Sequence, residues 1–113
     1  MKVILSDLAK SDVKKLAKRY KNFKQDIDFF IKDISENKEI KSDKIQGIKL
    51  PIFKARIKNS SINKGKSSGF RIIYYLKVND ILYVISIYSK NEMGNINKKD
   101  ILNNIAKLKF IKN

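Results

Sequence analysis

Apolar residues recur along this chain with two periods, one of three to four residues near its beginning and one of two residues in its centre. Between residues 13 and 34 the longer spacing predicts amphipathic helix with a single apolar stripe. Asn22 followed three residues later by Gln25 is typical of a capping box, so we predict two helices that separate just before Asn22. One helix of about 25 residues is the alternative. Ser11 or Asp12 is the expected N-cap of the first helix.

Alternation of apolar and polar residues, the pattern of a half-buried strand, begins after Pro51. The predicted strands are residues 2–6, 52–58, 70–78 and 81–89, and the segment from Asn97 to Phe110 is a predicted helix. Residues 36–50 and 59–69 are predicted loops. The expected fold is therefore α+β, a single domain over residues 1–113 in the order β-α-α-β-β-β-α. Its sheet is four-stranded and largely antiparallel, with the helices packed on one side.

The dipeptide Asn79-Asp80 between the last two predicted strands is typical of a tight hairpin. Counting outward from a two-residue loop gives the pairs Arg71 with Tyr88, Ile73 with Ser86, and Tyr75 with Val84. Lys90 then shares a face with Arg71 and Tyr88, and the opposite face, which includes Tyr74 and Tyr83, is the expected core. If residues 52–58 pair beside 70–78, Lys54 and Arg56 join Arg71, Tyr88 and Lys90 in one open patch.

Positive charge is concentrated in the middle of the chain. Lys and Arg total 26 against 11 acidic residues, a formal net charge of +15. Residues 44–79 contain nine basic side chains and no acidic one. This excess predicts a polyanionic partner, with Lys64 and Lys66 at the rim of the patch. A coding bias towards Lys explains the total charge but not the acid-free middle, and edge-strand lysines can also serve to discourage aggregation.

Residue types that the sequence lacks exclude several kinds of chemistry. The chain has no His and no Cys, which removes histidine acid–base catalysis, disulfides and cysteine-ligated zinc. The carboxylates nearest the predicted patch are Asp80 and Glu92, so we expect no metal and no other cofactor. No apolar run approaches the roughly 18 residues of a membrane span, and the N-terminus lacks a secretory signal. We therefore expect a cytoplasmic protein with no membrane partner.

A patch of cations can nevertheless cleave RNA, because RNA carries its own nucleophile, the 2′-hydroxyl beside the scissile phosphate. The planar guanidinium of Arg71 suits the charge of the phosphorane. A lysine crowded by other cations has a lowered pKa and can act as the base. Tyr88 can orient a group or stack on a splayed base. Arg19, on the first predicted helix, is expected to be solvated.

The segment from Phe53 to Glu92 resembles the RelE/HigB-type toxins of bacterial toxin–antitoxin modules. The resemblance is carried by residues 53–58 (FKARIK), 63–66 (NKGK), 69–75 (GFRIIYY) and 84–92 (VISIYSKNE). The order of elements extends this resemblance over nearly the whole chain, which implies a single RelE-like toxin domain over residues 1–113. It implies an endonuclease that cuts translated mRNA in the A site of the ribosome. It also implies a cognate antitoxin, acidic or DNA-binding, that silences the toxin.

The resemblance also implies roles for individual residues. Catalysis falls to Lys54 as base, Arg71 as phosphate stabiliser, Lys90 as charge neutraliser or proton donor, and Arg56; contact with RNA or the ribosome falls to Lys58, Lys64, Lys66 and Tyr88. Relatives often continue the loop with Arg-Gly-Gly where this chain has Ser67, Ser68 and Gly69, so one cation and one glycine are missing here. Some relatives have Arg in place of Lys90 and others a C-terminal His, so proton donation differs here.

Two alternatives fit the same sequence. ParE-type relatives share the fold but lack the nuclease residues and instead inhibit DNA gyrase by binding it. An RNA-binding module without catalysis needs the basic patch alone. The retained set of Lys54, Arg56, Arg71 and Lys90 favours the nuclease.

Overall fold

The computed structural model describes residues 1–38, 40–62, 69–77, 80–90, 92 and 97–107, in which the chain forms three helices and five strands. In chain order these are β1 (Lys2–Leu5), α1 (Asp7–Arg19), α2 (Phe23–Ser35), β2 (Ser42–Lys44), β3 (Ile52–Ile57), β4 (Phe70–Lys77), β5 (Ile81–Ser89) and α3 (Lys98–Lys107). The predicted α+β class is confirmed, and the predicted order lacks only β2. In the part of the chain described, no helix is both long and apolar enough to cross a bilayer.

The five strands form one mixed sheet in the order β1-β5-β4-β3-β2. β1 pairs with β5 in parallel, and the other neighbouring strands are antiparallel. The predicted pairing of β3 beside β4 is confirmed. The sheet has five strands rather than four because β2 pairs with residues 53–55. The Ser-Asp-Lys sequence of β2 contains no β-branched or aromatic residue, so its composition gave no sign of a strand.

The first two helices separate where the sequence predicts, but α1 begins earlier than expected. Its N-cap is Ser6, whose Oγ accepts a hydrogen bond from Ala9 N–H at 2.9 Å. The expected cap Asp12 has a different role. Its carboxylate accepts hydrogen bonds from Ser86 Oγ at 2.8 Å and Ile87 N–H at 3.0 Å, which fastens α1 to β5.

Helices cover both faces of the sheet. α1 and α2 pack with Phe70 and Ile72 on one face, whereas α3 packs Ile101 against Ile73 and Ile85 on the other. The expectation that all helices lie on one side is therefore wrong for α3. Because β4 and β5 carry apolar residues on both faces, a single helical layer would leave one apolar surface in water.

A β-bulge in β5 gives the β4–β5 hairpin two registers. At one end Arg71 lies opposite Tyr88, as predicted. Towards the turn one extra residue of β5 shifts the register, so Tyr75 pairs with Tyr83 and not with Val84. The extra residue reverses the alternation of faces. Val84 therefore packs in the core beneath α1 and α2, and Tyr83 stacks on Tyr75 with ring centroids 5.8 Å apart. Val78, the end of the predicted strand, and Asn79, the first residue of the predicted turn, lie outside the described residues.

Candidate functional site: a cavity lined by cations

The four cations predicted to share a patch line one open cavity. Lys54, Arg56, Arg71 and Lys90 contribute to its wall, and its volume is about 610 Å³. Lys54 and Arg56 are two residues apart on β3 and therefore share a face of the sheet. Arg56 lies directly opposite Arg71 of β4, and Lys90 follows the end of β5. We call this site the cation cavity.

Lys54, Arg56 and Arg71 lie on the sheet face that α3 partly covers, at the end away from this helix. On β3 this face runs from Ile52, which is fully buried, through half-buried Lys54 to exposed Arg56. On β4 it runs from Ile73, which packs with α3, to Arg71. The residues that alternate onto this face thus form an apolar end, which packs against α3, and a cationic end, which stays accessible.

Arg71 is the most buried of the four cations, at 5% exposure. Its Nη1 donates hydrogen bonds to Gly69 O and Phe70 O, each at 3.4 Å. Burial, and then the neighbouring guanidinium of Arg56, lower the pKa of Arg71 below its usual value. Like charges directly opposite one another destabilise a sheet. Costs of this kind are concentrated at functional sites, so the Arg56–Arg71 pair marks this cavity as the candidate site.

Gly69 brings the turn after β5 to the cavity. Its carbonyl oxygen accepts a hydrogen bond from Lys90 N–H at 3.1 Å, in addition to the one from Arg71. A Cβ atom on Gly69 would overlap with Ile57 O. Only glycine allows the backbones of β3 and β4 to approach so closely. Residues from β3, β4 and the turn after β5 therefore meet at this glycine.

The remaining predicted site residues lie elsewhere. Tyr88 is 3% exposed and packs in the apolar cluster beneath α3. A ring so deeply buried has no face for an RNA base, so the predicted stacking role of Tyr88 does not fit its position. Lys58 is exposed and lines, together with Arg56, a second groove of about 400 Å³ between α2 and β3. Lys64 and Lys66 lie outside the described residues.

Three charged residues that sequence analysis missed also line the cation cavity: Asp33, Lys41 and Asp43. Asp43 of β2 lies directly opposite Lys54, so these opposite charges share one face of the sheet. Asp33 of α2 also forms an ion pair with Lys38 at 3.4 Å. The expectation that carboxylates stay away from the patch is therefore wrong. The expectation failed because β2 was not predicted, and this strand brings Asp43 into the sheet beside β3.

The cavity is suited to binding a phosphate group. Arginine and lysine side chains are hydrogen-bond donors without acceptors, and guanidinium groups bind phosphate with two parallel hydrogen bonds. Of the residues that the structure describes, no three acidic side chains come together in a group that could hold a metal ion. The described side chains of the cavity can supply charge stabilisation, and proton transfer by Lys54, Lys90 and the carboxylates near them.

Most of the chain matches a known protein family. Residues 3–94 match the family described as ParE toxin of type II toxin-antitoxin system, parDE. This span runs from β1 past the end of β5, so it includes all four cations of the cavity and Gly69. No curated protein matches the chain. The family match confirms the predicted toxin superfamily, although the subtype that it names is ParE and not RelE/HigB. The chain belongs to the ParE toxin family of type II toxin–antitoxin systems.

Proposed function

We propose that the protein is a ribosome-dependent mRNA endonuclease that cleaves by attack of the 2′-hydroxyl on the adjacent phosphate, without a metal. The observation that carries the proposal is the convergence of Lys54, Arg56, Arg71 and Lys90 on one open cavity. A surface that only binds another protein does not need an arginine directly opposite a second, buried arginine. A developing phosphorane, with its additional negative charge, benefits from this arrangement.

Each cation has a role that its position supports. Arg71, held at the base of the cavity by backbone carbonyls, stabilises the phosphorane. Arg56, which is exposed, grips the phosphate as it enters. Lys54 is the candidate base for the 2′-hydroxyl, and Lys90, which follows β5, neutralises charge or protonates the departing 5′-oxygen. One proton passes from the 2′-hydroxyl to the base and one passes from the acid to the departing 5′-oxygen, so the number of protons balances. The products are a cyclic phosphate and a 5′-hydroxyl.

The proposal extends to location and partners. As a type II toxin the protein has a cognate antitoxin, which we propose silences it in the cytoplasm. The ribosome presents the mRNA in its A site, and the exposed cations outside the cavity contact ribosomal RNA. Lys58 is such a cation, and Lys64 and Lys66 are assigned the same role from the sequence.

Inhibition of DNA gyrase is the second candidate function. The observation that favours it is the family match, because the family takes its name from ParE toxins. Gyrase inhibition requires a binding surface and no catalytic cavity. A single substitution in the cavity should therefore severely reduce the first function but not the second. The affected macromolecule also differs, mRNA in the first case and DNA gyrase in the second.

The two candidates can be distinguished by inducing the toxin briefly and mapping the 5′ ends of cellular mRNA. We expect new ends inside translated codons with the wild-type protein. With Arg56→Ala we expect the frequency of these cuts to fall about a hundredfold, the effect typical of losing one transition-state donor. Because Arg56 is exposed, this substitution leaves the core intact. Lys14→Ala, which removes an exposed cation from α1 away from the cavity, is the matched control and should cut normally.

Other outcomes would contradict the nuclease. Intact messages together with arrested DNA replication would select gyrase inhibition. Intact messages together with tight RNA binding would select a binding module. Equal cutting by Arg56→Ala and Lys14→Ala would remove the cation cavity from the mechanism.

A further inference from the structure

We infer that Glu92 is a positioning residue, which α1 holds so that the turn carrying Lys90 stays at the cation cavity. This inference rests on the proposed function, because it assigns Glu92 a part in the same site. Arg19 is exposed, as the sequence indicated, and its guanidinium donates a hydrogen bond to Glu92 and forms an ion pair with it. The second donor to the same carboxylate oxygen is the hydroxyl of Tyr20, at 2.9 Å.

The contacts hold the turn on both sides of Lys90. The hydroxyl of Tyr20 lies 3.3 Å from Ser89 Oγ, one residue before Lys90. Glu92 N–H donates to Ser89 O at 3.1 Å, which closes the turn. Arg19, the last residue of α1, and Tyr20, its C-cap, therefore hold the residue two places after Lys90, and Tyr20 also contacts the residue before it. We call Arg19, Tyr20, Ser89 and Glu92 the turn clamp.

The turn clamp is connected to the core and to the cavity. The ring of Tyr20 packs edge-on against Phe70, with centroids 5.3 Å apart, so its hydroxyl is held in place. Phe70 is fully buried and begins β4, one residue before Arg71. On the cavity side, the hydrogen bond from Lys90 N–H to Gly69 O joins the turn to the start of β4. A loss of the clamp would therefore loosen the turn without unfolding the sheet.

The charged groups of the cavity explain why the turn that carries Lys90 needs to be held in one position. Lys90 shares the cavity with the other three cations and with the carboxylates of Asp33 and Asp43, so the place of its ammonium group among these charges depends on where the turn is held. The hydrogen bond from Arg19 keeps the pKa of Glu92 below its usual value. The clamp holds the turn from outside the cavity, since Glu92 does not line it.

The test compares Glu92→Gln with the wild-type protein in three measurements on the full chain. Losing a charged hydrogen-bond acceptor and an exposed ion pair should accelerate hydrogen exchange of the Lys90 amide about fivefold. Misplacement of Lys90 should slow single-turnover cleavage of ribosome-bound mRNA about tenfold. Affinity for the ribosome should stay the same. Arg19→Lys, which keeps the ion pair, should be close to wild type in all three.

Asp28→Asn is the matched control, because it also breaks an exposed ion pair, with Lys24, on a helix surface remote from the turn. It should alter neither the cleavage rate nor the exchange of the Lys90 amide. Wild-type cleavage by Glu92→Gln, with cleavage lost in Lys90→Ala, would overturn the positioning role alone. Wild-type cleavage by Lys90→Ala would overturn the role of Lys90 in the proposed function and the positioning role with it. Reduced ribosome affinity in Glu92→Gln would show that the clamp serves binding and would overturn positioning.

Discussion

At the scale of single residues, Gly69 brings the parts of the site together because it has no Cβ atom. The missing Cβ lets Ile57 O approach, and the carbonyl of the same residue accepts hydrogen bonds from Lys90 and Arg71. The period of two predicted Lys54, Arg56 and Arg71 because they lie on regular strands. Glycine is required at position 69 because Ile57 of the neighbouring strand β3 lies so close. The spacing of apolar and polar residues along the chain could not show this requirement.

Replacement of this glycine should therefore affect stability and site together. For Gly69→Ala we expect the free energy of unfolding to fall by about 1–3 kcal/mol, the usual cost of forcing a methyl group into a packed position. Urea denaturation measures this loss. Gly47→Ala is the control, because Gly47 has a φ of +82° and does not line the cation cavity. It should lose stability through backbone strain but keep its cleavage rate at temperatures where it is folded. A Gly69→Ala protein as stable as wild type would contradict the close approach of β3.

At the scale of elements, the bulge in β5 explains which predictions succeeded. Alternation of residues predicted both strands and the pair Arg71–Tyr88 correctly, but it predicted Val84 on the wrong face. A bulge is one extra residue in a run that is apolar throughout, and such a run shows no break in its pattern. Asp12 marks the bulge in the fold, since it accepts hydrogen bonds from Ser86 and Ile87.

The link between α1 and the bulge should depend on pH. Burial raises the pKa of Asp12, although the hydrogen bonds from Ile87 and Ser86 act in the opposite direction. The contribution of Asp12 to stability is therefore complete below its unfolded pKa of about 3.9 and is lost as the pH rises through the folded value. Relative to Asp12→Asn, the wild-type free energy of unfolding should fall as the pH rises above about 4. Urea titrations at a series of pH values measure this difference, and a constant difference would contradict a raised pKa of this half-buried carboxyl.

At the scale of the whole molecule, charge and topology were predictable to different degrees. The acid-free stretch of residues 44–79 predicted where the cations meet, and Lys54, Arg56 and Arg71 come from it. The position of α3 on the second face was not predictable, because its apolar stripe fits either side of the sheet. Asp33 comes to the cavity from α2, through a contact between elements that are distant in the sequence.

The net charge should make binding to RNA or ribosomes strongly dependent on salt. We expect the logarithm of the affinity to fall linearly with the logarithm of salt concentration, and the slope to lose about 0.7 for each cavity cation removed. Arg56→Ala and Lys54→Ala test this in filter-binding titrations. Lys24→Ala is the control, because Lys24 is already paired with Asp28 at 3.0 Å. A flat plot for the wild-type protein would contradict a phosphate-binding surface.

The parallel pairing of β1 with β5 has a consequence for the timing of folding. Residues 2–5 find their partners at residues 81–84, and the hydrogen bond from Ser6 to Ile85 spans 79 positions in the sequence. Translation adds about 5–20 residues per second, so the first strand waits for several seconds before its partner exists. Lys90 is made later still. The cation cavity of this toxin is therefore incomplete in the nascent chain. During most of the synthesis, the ribosome that makes the protein does not meet a finished cavity.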